Sequence, residues 1–84
     1  MKKTSKTILG IHVAQRTKQT AKVQKILTDF GCSIRTRIGL HEAFEGVCSP
    51  SGLILLEVVS RVSELKSALE QVPGVTVKKM VFGE

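Results

Sequence analysis

Residues 7–31 read TILGIHVAQRTKQTAKVQKILTDFG, and the apolar period changes partway through the stretch. From Ile8 to Ala14 the period is two. Leu9, Ile11 and Val13 share one face, and Ile8, Gly10, His12 and Ala14 share the other. Successive side chains of a strand point to opposite faces, so this is a strand whose reverse face is only mildly polar. Between positions 18 and 30 the period lengthens. Val23, Ile26, Leu27 and Phe30 follow i, i+3, i+4, i+7 spacing, flanked by Lys18, Lys22 and Lys25. That is one face of a helix. Thr17 or Thr20 is placed to cap its start, and Gly31 to end it with a positive φ.

The same sequence of periods recurs downstream. Ile34, Thr36, Ile38 and Leu40 alternate with Arg35, Arg37 and Gly39 in a second strand over residues 33–40. Residues 41–52 keep no period and end in strong turn formers, which suits a functional loop or a partial extension of both flanking strands. The most apolar run, Leu53 to Val59, predicts a third strand. Ser60 is an N-cap candidate for a second helix with Val62, Leu65, Leu69 and Val72 as its stripe, stopped by Pro73-Gly74. Val75 and Val77 then alternate with Thr76, Lys78, Met80 and Phe82 in a last strand.

The order β-α-β-β-α-β predicts an α+β ferredoxin-like sandwich. Right-handed crossovers put both helices on one face of a four-stranded antiparallel sheet of strand order 4-1-3-2. The expected core is Leu9, Ile11, Val13, Val23, Ile26, Leu27, Phe30, Ile34, Ile38, Ile54, Leu56, Val58, Val62, Leu65, Leu69, Val75 and Val77. Residues 7–84 form a single domain in this reading, and residues 1–6 a flexible basic tail. The uncovered sheet face would carry Ile8, His12, Leu53 and Leu55, with Met80 or Phe82. Such an apolar patch predicts a homo-oligomer, a dimer or tetramer formed by sheet-face packing or by edge pairing.

The 84 residues carry 13 basic and 7 acidic side chains, a net charge of +6. That length excludes a multidomain enzyme. Three Phe and no Trp or Tyr leave little to build a base-stacking platform, so direct nucleic-acid binding is an alternative and not the expectation. No run reaches the ~18 apolar residues of a membrane span. The two cysteines, Cys32 and Cys48, read as reduced thiols of a cytoplasmic protein, with Cys32 a small buried residue at a strand start and Cys48 the more exposed.

No nucleophile–base pair or convergent carboxylate pair stands out, so an enzyme is not expected, and no cofactor is predicted. Glu57 shares parity with Leu53 and Leu55 and is placed for a cross-strand ion pair with Arg35 or Arg37. A transition-metal site using Cys32, His41 and Cys48 is the other alternative, although their spacing matches no compact motif. The loop after the first strand has no glycine, yet a helix start beside Arg16 and Lys18 offers free N–H groups to an anion.

The segments Ile8-Leu9-Gly10-Ile11, Arg37-Ile38-Gly39-Leu40 and Val72-Pro73-Gly74-Val75-Thr76-Val77-Lys78 resemble a small bacterial family of ACT-like proteins, the iron-only hydrogenase system regulators. The resemblance runs from Thr7 to Val81. It implies an ACT-like, oligomeric regulator acting in transcription through a protein partner and sensing a small-molecule effector whose identity is unknown. Carried onto this chain, it implies ligand contacts at Arg16 and Thr17, with Arg37, Gly39 and His41 as further contributors.

Overall fold

The computed structural model describes residues 5–14, 16–40, 43–44, 47–48 and 52–83; for 16–18, 40, 43–44 and 47–48 it describes the backbone alone. Among the described residues, six strands and two α-helices follow one another: β1 (Lys6–Val13), α1 (Arg16–Asp29), β2 (Ile34–Leu40), β3 (Ala43–Phe44), β4 (Val47–Cys48), β5 (Gly52–Val58), α2 (Val62–Glu70) and β6 (Val75–Phe82). Four strands form one antiparallel sheet in the order β2-β5-β1-β6, and β3 pairs with β4 in a separate two-stranded hairpin. This is the βαββαβ sheet with two helices, and its strand order is the one expected.

Alternation in β1 decides which face is dry. Leu9 and Ile11 are fully buried and Val13 nearly so, while His12 is exposed. Their neighbours across the ladder are Leu56 and Ile54 on β5 and Val77 and Val75 on β6. Val23 and Leu27 of α1 and Leu65 and Leu69 of α2 close over them, and Val72 completes the core. Ile26, Phe30, Ile34, Ile54, Val62 and Val75 pack at its margin, half-buried. Burying a side chain of this size contributes about 1.5–3 kcal/mol, so these few positions supply most of the cohesion of so short a chain.

Five local expectations need correction. Ile38, assigned to the core, is 49% exposed. The cause is a register shift between Ile34 and Thr36: Ile34 pairs with Val58, yet Thr36 pairs with Glu57. Arg35 is thus an extra residue, a bulge that reverses the facing of everything beyond it. Ile34 lies on the helix side, and Thr36 and Ile38 on the open side.

Gly31 does not end α1 with a positive φ; only Gly74 and Gly83 among the described glycines have one. The chain instead tightens into a 3-10 turn, Gly31–Ser33. Cys32, expected to be buried, is exposed on that turn as a free thiol. Ser60 does not cap α2. Its hydroxyl donates to Ser33 Oγ at 2.9 Å, and the N-cap position falls to Arg61 in the left-handed region at φ 53°, ψ 39°. Thr17 and Thr20 lie inside α1, which starts at Arg16.

Pro73-Gly74 turns the chain from α2 into β6 as expected. Gly74 has φ +81°, and its carbonyl accepts a hydrogen bond from Ala14 N–H at 2.9 Å. That contact ties the end of β1 to the beginning of β6. No helix among the described residues is long and apolar enough to cross a membrane.

Candidate functional site

The βαβ order fixes which residues share an end of the sheet. β2 and β1 both run antiparallel to β5, so their C-terminal ends coincide. Gly39 pairs with Ile54, which in turn pairs with Ile11. Two ladder steps separate Gly39 from β1, about 10 Å at ~4.8 Å per strand. The chain leaves β1 at Val13 and enters α1 at Arg16 and Thr17, at this same end. Arg16, Thr17 and Gly39 are therefore brought to one end by topology. His41, two residues beyond Gly39, lies outside the described residues.

The electrostatics of α1 run against its own dipole. No acidic residue occupies its first turn and no basic residue its last. Arg16 and Lys18 instead fall in the first turn, where a helix already presents positive charge and N–H groups without an intrahelical acceptor. Asp29 sits at the negative end, held by Lys25 at 3.4 Å. Helices of this polarity gain from an anion at their start.

Arg37 departs from the expected grouping. Because of the bulge it lies on the helix side of β2, and its guanidinium donates to the Gln24 side chain of α1. It faces away from Glu57. Gly39 lies on the same side, and a Cβ placed on it would meet nothing within 4 Å. The helix side of β2 thus sets open space at Gly39 beside the Arg37–Gln24 pair.

The ion pair expected at Glu57 forms with Arg35 and not with Arg37. Glu57 Oε2 lies 3.4 Å from Lys6 Nζ and 3.8 Å from Arg35 Nη1, and Thr36 Oγ1 donates to Oε1 at 3.2 Å. The carboxylate side chain is only 18% exposed. The bulge produces this cluster, since it turns both Arg35 and Thr36 toward the single residue opposite them. Parity alone put Glu57 on the open face within reach of Arg35; the place of Thr36 beside it needed the bulge.

A second charged group sits where α1, β5 and α2 meet. The Arg61 guanidinium lies over the Phe30 ring, 4.5 Å from its centroid, and its Nε donates to Glu64 Oε1 at 3.1 Å. The hydrogen bond to Glu64, and then its charge, raise the Arg61 pKa further above its ordinary value. Arg61 is therefore cationic at every ordinary pH.

The metal alternative is corrected. Among the described residues no group of three His, Cys, Asp or Glu side chains could hold an ion. Cys32 precedes β2, Cys48 follows its end in sequence on the β3–β4 hairpin, and His41 lies outside the described residues.

No family model matches this chain, and no curated protein does. Solved structures do. The uncharacterised protein TM1266 from Thermotoga maritima superposes with a TM-score of 0.75 at 26% identity, covering 92% of this chain and 95% of that one. CPII from Thiomonas intermedia K12, a nitrogen regulatory PII-like protein bound to ADP, AMP and bicarbonate, superposes with a TM-score of 0.57 at 18% identity over 99% and 98% of the two chains. The same protein bound to ADP and bicarbonate gives 0.60 at 14% identity, over 99% and 93%.

These likenesses overturn the expected place in the ACT-like hydrogenase-regulator family. With no family model to carry that assignment, the regulators whose fold this chain shares are PII-like proteins caught with adenine nucleotides. The hydrogenase and transcription associations fall with it. What stands is a ferredoxin-like fold similar to that of PII-type proteins.

Proposed function

We propose that this chain is a non-enzymatic, homo-oligomeric regulatory subunit that senses a phosphate-bearing small molecule of the adenine-nucleotide class. The observation that carries this reading is the start of α1, where Arg16 and Lys18 accompany N–H groups that have no intrahelical acceptor, with no acid in the first turn. The nucleotides bound to CPII on the same fold support the ligand class. Arg16 and Thr17 would hold the phosphates, while Gly39 leaves room for the remainder beside Arg37, with His41 a further candidate contact. Exposed Cys32, a free thiol, suits a reducing cytoplasm.

Regulation needs only a ligand with different affinities for two arrangements of the assembly. Isothermal titration calorimetry with ADP and AMP tests the reading. Saturable binding is expected, weakened about tenfold or more by Arg16→Ala and less by Arg37→Ala. At a ligand concentration 100 times Kd the stabilisation is about 2.7 kcal/mol, readable as a rise in Tm. Absence of both heat and thermal shift with millimolar ADP and AMP overturns the ligand class.

A further inference from the structure

Among the described residues, helices cover one face of the four-stranded sheet and leave the other bare. We propose that a second copy of this chain covers the other, face to face around the gap at Gly10, and that neither sheet edge is used. The inference rests on the homo-oligomeric reading above and adds the surface and its contacts.

The ladder registers place Ile38 of β2, Leu53 and Leu55 of β5, Ile8 and Gly10 of β1, and Met80 of β6 on this face. Ile38, Leu53 and Met80 are large apolar side chains left exposed, as is Phe82 at the margin. Charge is confined to two places: Lys6 and Arg35 flank Glu57 at one end, a net single positive charge, and Lys78 lies on the outer strand across from Gly10. An apolar centre with a polar rim is the usual anatomy of an association surface.

Area favours a copy of the same sheet as occupant. Four strands at ~4.8 Å and seven residues at ~3.3 Å give a face of about 20 Å by 23 Å, roughly 450 Å² in projection. The accessible area of a surface studded with side chains exceeds its projection. That brings the face near the ~800 Å² each partner contributes to a standard interface. Two twisted sheets of equal size pack with matching curvature.

The edges argue against the other mode of assembly. β6 carries Lys78 and Lys79 in succession on its free edge, and β2 carries Arg35 in a bulge with Arg37 close behind. Lysine and bulges on an edge strand oppose pairing with another edge, and a twofold would bring like charges together.

Gly10 marks the point of closest approach. A glycine inside a strand weakens it unless something comes near the backbone. Here a Cβ would have room: its nearest neighbours are Leu55 Cδ2 at 3.7 Å and the Lys78 carbonyl oxygen at 4.0 Å. The fold itself therefore does not require glycine, and the gap is left for a side chain of the partner.

Sedimentation equilibrium from 1 to 100 µM, with circular dichroism on each sample, tests the proposal. Wild type is expected to be a dimer or higher assembly. The double variant Ile38→Lys/Met80→Lys is expected to be a folded monomer, since both residues are exposed. Gly10→Ala should keep or raise the Tm of the dilute protein yet weaken association about tenfold. Val81→Lys, equally exposed but on the helix side of β6, should associate as wild type does. A monomeric wild type would defeat the homo-oligomeric reading itself. An oligomer that survives the double variant, or that Val81→Lys disrupts as strongly, overturns only the choice of face. Unchanged association of Gly10→Ala overturns the role given to the gap.

Discussion

Ile34 and Ile38 lie four residues apart on one strand and face opposite sides of the sheet. Ile34 packs at the margin of the core beside Val58, whereas Ile38 is paired with Leu55 on the open side. The extra residue at Arg35 separates their fates. Ile34→Ala should destabilise the fold by about 1–3 kcal/mol, and Ile38→Ala by less than about 0.5 kcal/mol. Urea unfolding at concentrations below association checks both. Equal losses would mean the bulge is misplaced.

Glu57 gathers Lys6, Arg35 and Thr36 around one largely covered carboxylate. Glu57→Gln leaves two cations facing each other with nothing between them. A loss of about 1 kcal/mol is expected at low salt, shrinking as ionic strength approaches 1 M. A double-mutant cycle with Arg35→Met isolates the direct pair. A cost independent of salt would assign Glu57 a packing role only.

Ser33 is 4% exposed, and its hydroxyl oxygen accepts from Ser60. Removing one partner strands the other in a part-buried site, and removing both strands neither. Ser33→Ala and Ser60→Ala should each cost about 1 kcal/mol, with the double variant costing clearly less than their sum. Thermal unfolding of the four proteins decides it. Additive losses would show that the two hydroxyls do not depend on one another.

Arg61 adopts a left-handed conformation that glycine occupies without strain. Arg61→Ala keeps the strain and loses the Phe30 and Glu64 contacts, with a small loss of stability. Arg61→Gly loses the same contacts but relieves the strain, which is about 1–2 kcal/mol for an L residue. The glycine variant should therefore be at least as stable as the alanine variant, a reversal of the usual order. Because the pair with Glu64 raises the Arg61 pKa, its contribution is present below the ordinary arginine range and fades only above it. No pH dependence from the arginine is expected between pH 5 and about 10.

Strand order, strand direction and both helices were legible because periodicity and the βαβ handedness rule act over whole segments. Arg16, Thr17 and Gly39 were grouped only through a family resemblance, and the strand directions bring these three positions to one sheet end. What escaped was set by single residues. A bulge adds one residue without disturbing the written alternation of Ile34, Thr36, Ile38 and Leu40, yet it inverts the meaning of that alternation. Arg37 consequently reaches Gln24 and Glu57 keeps Arg35. Ser60 reads as a cap by type, but Ser33, 27 residues earlier, competes for its hydroxyl. Contacts this distant in sequence leave no local pattern.

The chain leaves the sheet after Leu40 and rejoins it at Gly52, on strands that are already hydrogen-bonded neighbours. Everything between them, the β3–β4 hairpin included, is attached at both ends to a ladder that closes without it. Doubling the length of such a connection costs only about 0.6 kcal/mol of closure entropy. The fold therefore has a place where recognition can be rewritten, lengthened or replaced while the sheet and its core stay as they are.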